Sequence, residues 1–171
     1  MEDETVKVDQ NLKLERLQPN QADELFKLTE INREYVGEFL SWVPHVRTVE
    51  DSRKHIIESI DKSKRGSAYT YGIFIDDEVI GNISLSKLND DALTPEIGYW
   101  ISNDYSGRGL MTLCVKSLTR VGLNSLGLKK IAIRAEPKNI ASNKVAEKSG
   151  YTLTGSETKD DKLFNVWSIT E

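Results

Sequence analysis

The sequence predicts a mixed α/β fold in which one mixed β-sheet carries several helices. Three observations support this: a two-residue apolar period over residues 69–101, helical apolar spacing on either side, and alternating strands and helices over residues 96–169. A meander of strands followed by strand–helix–strand units is typical of a mixed sheet. The 171 residues are enough for one domain with a sizeable core. We therefore expect a polar tail over residues 1–11 and a single domain over residues 12–171.

The first third of the chain predicts one strand and two capped helices. Residues 12–17 alternate apolar and polar side chains, as a half-buried strand does. Asn20 and Asp23 have the spacing of an N-terminal cap for the first helix, and Thr48 and Asp51 have it before the second. The apolar residues of the second helix recur at helical spacing: Val49, Ile56, Ile57 and Ile60. Between the helices we expect a looser aromatic stretch containing Tyr35, Phe39, Trp42 and Pro44.

The rest of the chain predicts a hairpin and then alternating helices and strands. The strand-like runs at residues 69–75 and 79–85 flank an acidic turn at residues 76–78, which indicates a hairpin. A further strand is expected over residues 96–101. After it we expect helices at 110–126 and 141–149 and strands at 130–135, 151–156 and 163–169.

Charge and composition argue against several classes of protein. A net charge of −4 and a pI of about 5.4 do not suit a general nucleic-acid binder, which needs a basic face. The chain has no run near the roughly 18 apolar residues of a membrane span, and its acidic start does not resemble a signal peptide. The lone Cys114 permits no internal disulfide, and with two histidines it makes a structural zinc site unexpected. We therefore expect a cytoplasmic protein without a metal site.

A Gly-x-Gly turn follows the strand expected over residues 96–101. Gly107 and Gly109 allow the backbone to turn tightly and to approach a ligand closely. The free N–H groups and the partial positive charge of the helix start would form a site for phosphate. The turn is not a P-loop, because no Gly-Lys-Ser/Thr follows, and it lacks the third glycine of a dinucleotide-binding fingerprint. Taken alone, two glycines indicate no more than a plain loop.

A second motif follows the next expected strand. Asn139, Ser142 and the pair Gly150-Tyr151 come after residues 131–135 in the order strand, Asn-x-x-Ser, helix, Gly-Tyr. Together the two motifs resemble those of the GCN5-related N-acetyltransferases, a family that binds acetyl-CoA. The first motif of that family reads Gln/Arg-x-x-Gly-x-Gly/Ala, so Asp104 departs from its first position while the glycine turn is kept.

A third cue resembles the RimJ/RimL branch of that family, the ribosomal-protein N-acetyltransferases. It consists of residues 32–35, 42–44 and 48–51, and the whole resemblance extends over about residues 12–169. The resemblance implies the family's fold, a mixed, mostly antiparallel sheet flanked by helices on both faces. It also implies acetyl-CoA as the acetyl donor, a primary amine as the acceptor and, by analogy with the branch, a homodimer.

The resemblance further implies which residues contact the donor. Backbone N–H groups of the glycine turn would face the diphosphate, and Asn139 would meet the pantetheine arm. The donor-binding set is Ile101, Ser106, Gly107, Arg108, Gly109, Leu110, Met111, Thr112 and Asn139. Two alternatives stay open, since Arg108 could be a solvated surface arginine and Asn139 could be a helix cap.

Acetyl transfer needs an acid for the leaving thiolate and a base for the amine. Many family members use a tyrosine as the acid at the position that Ala146 occupies here, so Ser142 is the expected substitute, with a helix cap as its alternative. Glu96 is the candidate base, because a carboxylate can deprotonate an amine directly or through water; the alternative is a solvent-facing glutamate. We expect His45 to be a surface histidine and Cys114 to be a packed residue rather than a nucleophile.

The expected acceptor is a protein N-terminal α-amine. An α-amine with a pKa near 8 is about one-tenth neutral at pH 7, whereas a lysine amine is neutral in only about one molecule in two thousand. A modest base such as Glu96 therefore suits an α-amine, in agreement with the resemblance. A small-molecule amine, such as a polyamine or an aminoglycoside, and a non-catalytic acyl-CoA-binding module remain alternatives. Tyr35 and Trp42 either shape the acceptor pocket or pack in the core.

Overall fold

The computed structural model describes residues 4–171 and confirms a mixed α/β fold. The strands are β1 (Thr5–Lys7), β2 (Leu12–Glu15), β3 (Tyr69–Ile75), β4 (Glu78–Ser86), β5 (Glu96–Ile101), β6 (Lys130–Ala135), β7 (Thr152–Lys159) and β8 (Lys162–Thr170). The α-helices are α1 (Ala22–Ile31), α2 (Arg33–Gly37), α3 (Val49–Lys64), α4 (Leu110–Arg120) and α5 (Ile140–Lys148). The predicted order of elements is confirmed, with β1 and α2 as additions.

Within the described residues the strands form one sheet in the order β1-β2-β3-β4-β5-β6-β8-β7. Neighbouring strands are antiparallel except β5 and β6, which are parallel. The register between β5 and β6 has a single pair, Glu96 opposite Ala132, after which the two strands diverge. The sheet therefore opens at the carboxyl ends of β5 and β6, where α4 and α5 also begin.

Helices cover both faces of this sheet. One core joins α4 and α5 to the sheet, and it includes Ile73, Ile83, Ile97, Cys114, Leu118 and Ala146. The other joins α1, α2 and α3 to the opposite face, and it includes Ala22, Leu25, Val36, Ile56, Phe74 and Trp100. Ile73 and Phe74 are neighbours in β3 but belong to different cores, because successive side chains of a strand point to opposite faces.

The N-terminal segment corrects the prediction of a polar tail over residues 1–11. Thr5–Lys7 forms an edge strand that pairs antiparallel with β2. Val6 and Val8 pack against the core, so a short two-residue alternation is present in a segment that is otherwise polar. Residues 1–3 lie outside the described part of the chain.

The first two predicted helix caps have different outcomes. The cap of α3 is confirmed: Thr48 Oγ1 accepts the N–H of Asp51 at 3.2 Å, and Asp51 Oδ2 accepts the N–H of Thr48 at 3.0 Å. The predicted Asn20 cap is wrong, because a 3₁₀ turn precedes α1 and the residue before the helix is Gln21. In that turn the Gln21 side chain accepts the N–H of Gln18 at 2.8 Å.

The acidic hairpin predicted at residues 76–78 is confirmed, and a second acidic hairpin joins β7 and β8. The φ angles are +46° and +70° at Asp76 and Asp77, and +52° and +63° at Asp160 and Asp161. Positive φ at both central positions is the geometry of a type I′ turn, which matches the twist of the strands it joins. The helix predicted over residues 110–126 instead ends at Arg120 and continues as one π-helical turn to Ser125. Among residues 4–171, none of the helices combines the length and the apolar character needed to cross a bilayer.

Candidate active site

A cavity of about 400 Å³ lies where β5 and β6 diverge. The carboxyl end of β5 contributes to it, together with the starts of α4 and α5 and the segment around α2. This volume falls in the range of small-molecule sites, roughly 300–1,000 Å³. All of the predicted site residues except Glu96 and Arg108 line it: Ile101, Ser106, Gly107, Gly109, Leu110, Met111, Thr112, Asn139 and Ser142.

The two glycines form a left-handed turn at the start of α4. The φ angle is +73° at Gly107 and +76° at Gly109, and Gly109 directly precedes the first helical residue. No heavy atom lies within 4 Å of a Cβ placed at either glycine, so the positive φ rather than crowding requires glycine here. The first N–H groups of α4 have no partner within the helix, and their partial positive charge favours an anion in the adjoining cavity.

Arg108 lies between the two glycines but does not line the cavity. Its guanidinium stacks over the ring of Tyr105, 5.3 Å from the ring centroid. Tyr105 does line the cavity, so Arg108 is linked to the cavity only through this ring. A direct contact between Arg108 and a phosphate stays a prediction.

Helix α5 contributes a cap, a hydroxyl and two lysines to the cavity. Asn139 is the N-cap, and its Oδ1 accepts the N–H of Ser142 at 3.3 Å, so the cap alternative for Asn139 is confirmed although it also lines the cavity. Ser142 lies in the first helical turn and is not the cap. Lys144 and Lys148 line the cavity as well, and neither was predicted. Their spacing of four residues, which places both on one face of a helix, is the signal that could have found them.

Tyr99 of β5 connects the sheet to the start of α5. Its hydroxyl donates to the carbonyl oxygen of Ser142 at 3.0 Å and accepts a hydrogen bond from the Ser142 hydroxyl at 3.1 Å. Burial raises the pKa of Tyr99 well above its usual value, so the phenol keeps its proton at neutral pH. Tyr99 was not predicted as a site residue, because its partner Ser142 is distant in sequence.

Asn143 fixes the loop that precedes α5. Its Nδ2 donates to the carbonyl oxygens of Glu136 at 3.0 Å and Asn139 at 2.8 Å. Its Oδ1 accepts from Asn165 Nδ2 at 3.0 Å and from Trp167 Nε1 at 2.9 Å. All four hydrogen-bonding positions of this amide are therefore used, and they tie the loop to β8.

Glu96, the predicted base, does not line the cavity. It starts β5, and Tyr99, the first residue of β5 that lines the cavity, is three residues further on, roughly 10 Å at the usual rise of a strand. Its carboxylate binds Lys87 and, at 3.0 Å, Arg134. Arg134 also binds Glu157 at 2.7 Å, which lowers the pKa of Glu157. The role of Glu96 as the base stays a prediction that this placement does not support.

Cys114 is buried in the core between α4 and the sheet, as predicted. Burial raises the pKa of its thiol to about 12. The thiolate is therefore scarce at neutral pH, and this cysteine is a packed residue rather than a nucleophile.

The two aromatic residues considered for the acceptor pocket are placed differently. Tyr35 lines the cavity, whereas Trp42 does not. The Trp42 ring lies 6.1 Å from that of Trp100, which is buried in the core formed with α1, α2 and α3 and also lines the cavity. His45 is exposed and does not line the cavity.

Comparisons with known proteins agree with this site. The family described as Acetyltransferase (GNAT) domain matches residues 11–152. A ribosomal-protein-serine acetyltransferase of Escherichia coli (strain K12) is 32% identical over 152 residues, which cover 89% of this chain and 85% of the relative.

Solved structures show the same fold. RimL, a ribosomal L7/L12 alpha-N-protein acetyltransferase in complex with coenzyme A, has a TM-score of 0.90 and 25% identity, with 98% of each chain covered. The microcin C7 self immunity acetyltransferase MccE, in complex with acetyl-CoA and AMP, has a TM-score of 0.90 and 24% identity, covering 99% of this chain and 97% of its own. This chain therefore belongs to the GNAT family of acetyltransferases, and it is an acyltransferase.

Proposed function

We propose that this enzyme transfers the acetyl group of acetyl-CoA to the α-amine of a protein N-terminus, with a ribosomal protein as the acceptor. The observation that carries the proposal is the cavity between β5 and β6, which joins the glycine turn of α4 to the Ser142 hydroxyl. The relatives named for ribosomal-protein serine and for an L7/L12 α-amine support this acceptor class. Such an acceptor would place the enzyme in the cytoplasm, and the homodimer expected from the resemblance stays a prediction.

The donor is acetyl-CoA, and its parts suit different regions of the cavity. The diphosphate suits the turn at Gly107 and Gly109, and Lys144 and Lys148 add positive charge on the neighbouring helix. The amide groups of the pantetheine arm suit the Asn139 side chain, of which only Oδ1 is used in the cap. The thioester then belongs near Ser142, whose hydroxyl lies in the first turn of α5 beside the Asn139 cap.

The reaction requires one bond to form and one to break. The lone pair of the neutral amine attacks the thioester carbon, the C–N bond forms, the C–S bond breaks, and the sulfur leaves with the electron pair. Ser142 gives its hydroxyl proton to that sulfur, and the proton released by the new amide nitrogen returns to Ser142 through solvent. The start of α5 helps, because the partial positive charge of a helix N-terminus stabilises nearby negative charge.

The cavity favours an acceptor amine of which a substantial fraction is already unprotonated in solution. Among the described residues that line it there is no carboxylate and no histidine. An enzyme without a base beside the amine depends on the neutral fraction in solution, which at pH 7 is roughly two-hundredfold larger for an α-amine than for a lysine amine. This difference supports the α-amine as the acceptor.

An acceptor panel tests this proposal. We expect a serine-initiated peptide with a free N-terminus and no lysine to exceed, by about a hundredfold in kcat/KM at pH 7, an N-blocked peptide that carries one lysine. Release of the CoA thiol measures both, with spermidine and an aminoglycoside as further acceptors. The rate with the α-amine should level off above about pH 8, whereas a lysine acceptor should keep rising toward pH 10. Faster turnover of the N-blocked peptide or of spermidine would contradict the proposal.

The Glu96→Gln variant distinguishes two possible roles of Glu96, the predicted catalytic base and a partner in structural ion pairs. Because the carboxylate is bound by Lys87 and Arg134, the substitution leaves both cations less well paired, and we expect a loss of stability of about 1–3 kcal/mol. We expect kcat to stay within about twofold of wild type, since Glu96 does not line the cavity. Urea denaturation and thiol release measure the two effects. A large fall in kcat with unchanged stability would restore the base predicted from the sequence.

A further inference from the structure

Ser142, the proposed acid, is bound by one residue of the sheet among its described contacts, and that residue is Tyr99. The two residues are 43 positions apart in sequence, and two hydrogen bonds join them, at 3.0 Å and 3.1 Å. Both also line the cavity. Ala146, one helical turn further along α5, is fully buried and carries no hydroxyl, so the phenol beside this serine comes from β5.

The Ser142 hydroxyl has two competing uses for its single hydrogen. In the present arrangement it donates that hydrogen to Tyr99, and it cannot also donate to a sulfur in the cavity. Tyr99 meanwhile donates its own hydrogen to the Ser142 carbonyl oxygen. Both oxygens of Ser142 lie at hydrogen-bonding distance from the phenol, so the phenol hydrogen can turn from the carbonyl to the hydroxyl oxygen without movement of either residue.

We propose that Tyr99 is a positioning residue, which orients the Ser142 hydroxyl and donates a hydrogen bond to it while Ser142 protonates the leaving thiolate. This inference rests on the proposed function. When the Ser142 hydrogen turns toward the sulfur, the phenol hydrogen turns toward Ser142 Oγ. The negative charge that develops on Ser142 Oγ then meets a fixed donor, and such charge-assisted bonds are stronger than neutral ones.

The phenol itself does not supply the proton in this scheme. The Tyr99 hydroxyl hydrogen stays within the pair, on the Ser142 carbonyl oxygen or on Ser142 Oγ, so it is not free to move to the sulfur. The proton transferred to sulfur is the hydroxyl proton of Ser142, and Tyr99 keeps its own throughout. Tyr99 therefore acts through Ser142, and its loss should affect the chemical step more than the binding of the donor.

Tyr99→Phe in the full-length enzyme tests this role. It removes one oxygen and keeps the ring that packs in the core, so we expect the variant to fold. We expect kcat to fall about tenfold, the value of one well-placed hydrogen bond, with the KM for acetyl-CoA within about twofold of wild type. Thiol release with the N-terminal peptide gives both constants, and a thermal melt with and without acetyl-CoA reports folding and donor binding.

Tyr151→Phe is the matched control. Tyr151 is also buried, and its hydroxyl shares a 2.7 Å hydrogen bond with Thr119. It does not line the cavity, so its substitution should lower the melting temperature to a similar extent while kcat stays at the wild-type value. An equal change of kcat in the two variants would overturn the positioning role.

A double-mutant cycle with Ser142→Ala gives the decisive comparison. If Tyr99 acts through Ser142, adding Tyr99→Phe to Ser142→Ala should produce no further loss of kcat. Independent, multiplicative losses would overturn the proposal while the acetyltransferase activity itself remained established. Inactivity of the wild type with every amine would overturn the proposed function, and the positioning role of Tyr99 with it.

Discussion

Gly107→Glu is expected to weaken acetyl-CoA binding by about a hundredfold. The substitution places a carboxylate at the turn that we propose holds the diphosphate, and like charges about 4 Å apart repel by up to about 4 kcal/mol near a protein surface. It also forces a positive φ of +73° on a residue with a Cβ. Isothermal titration gives the change in Kd, and the acetyl-CoA-induced rise in melting temperature should disappear.

Gly127→Glu separates the charge effect from the backbone strain. Gly127 has a φ of +68° and, like Gly107, has no heavy atom within 4 Å of the position that an added Cβ would take. It does not line the cavity, so it should lose the same stability, about 1–2 kcal/mol, with no change in Kd. An equal loss of affinity in both variants would contradict an anion site at the glycine turn.

Gly81→Ala is expected to destabilise the protein by about 1–3 kcal/mol and to disturb the cavity. Gly81 of β4 is paired with Ile101, and an added Cβ would lie 2.4 Å from the Trp100 carbonyl oxygen and 2.9 Å from the Ile101 Cα. Both atoms belong to the backbone, so the end of β5 must move. Urea denaturation measures the stability, and titration with acetyl-CoA should show weaker binding, because Trp100 and Ile101 line the cavity.

Gly98→Ala is the control in the same pair of strands. A Cβ at Gly98 would have Ser84 Oγ as its nearest neighbour, at 3.9 Å, which is ordinary contact. We expect its stability to stay within about 0.5 kcal/mol of wild type. Similar losses at Gly81 and Gly98 would mean that the loss of glycine from a strand, rather than the close approach to β5, determines the effect.

The parts of the molecule that sequence patterns predicted are those fixed by local chemistry. The strands at residues 69–75 and 96–101 have the predicted bounds, because a two-residue period is visible in the chain itself. The Thr48–Asp51 cap and the glycine turn were also predictable, since their hydrogen bonds and φ angles involve residues a few positions apart. The short β1 was missed because three residues that pair with a distant strand carry little pattern.

The contacts between distant segments were not predictable in the same way. Glu96 has the right residue type for a base, but the sequence does not reveal which end of β5 borders the cavity or that Lys87 and Arg134 bind the carboxylate. Tyr99 reaches Ser142 only because β5 and the start of α5 lie side by side. In both cases the outcome depends on which segments the tertiary structure brings together, and periodicity and residue spacing carry no information about that.

The divergence of β5 and β6 has a mechanical consequence for the whole sheet. Strands β1–β5 on one side and β6, β8 and β7 on the other share one backbone pair at this seam, and the ion pair between Arg134 of β6 and Glu96 of β5 also crosses it. We therefore expect the open end of the seam to be the part of the sheet that deforms most easily. A ligand that contacts β5, α4 and α5 together would bridge this open end. We therefore expect an occupied cavity to restrain movement of β1–β5 relative to β6–β8, which few backbone hydrogen bonds join directly.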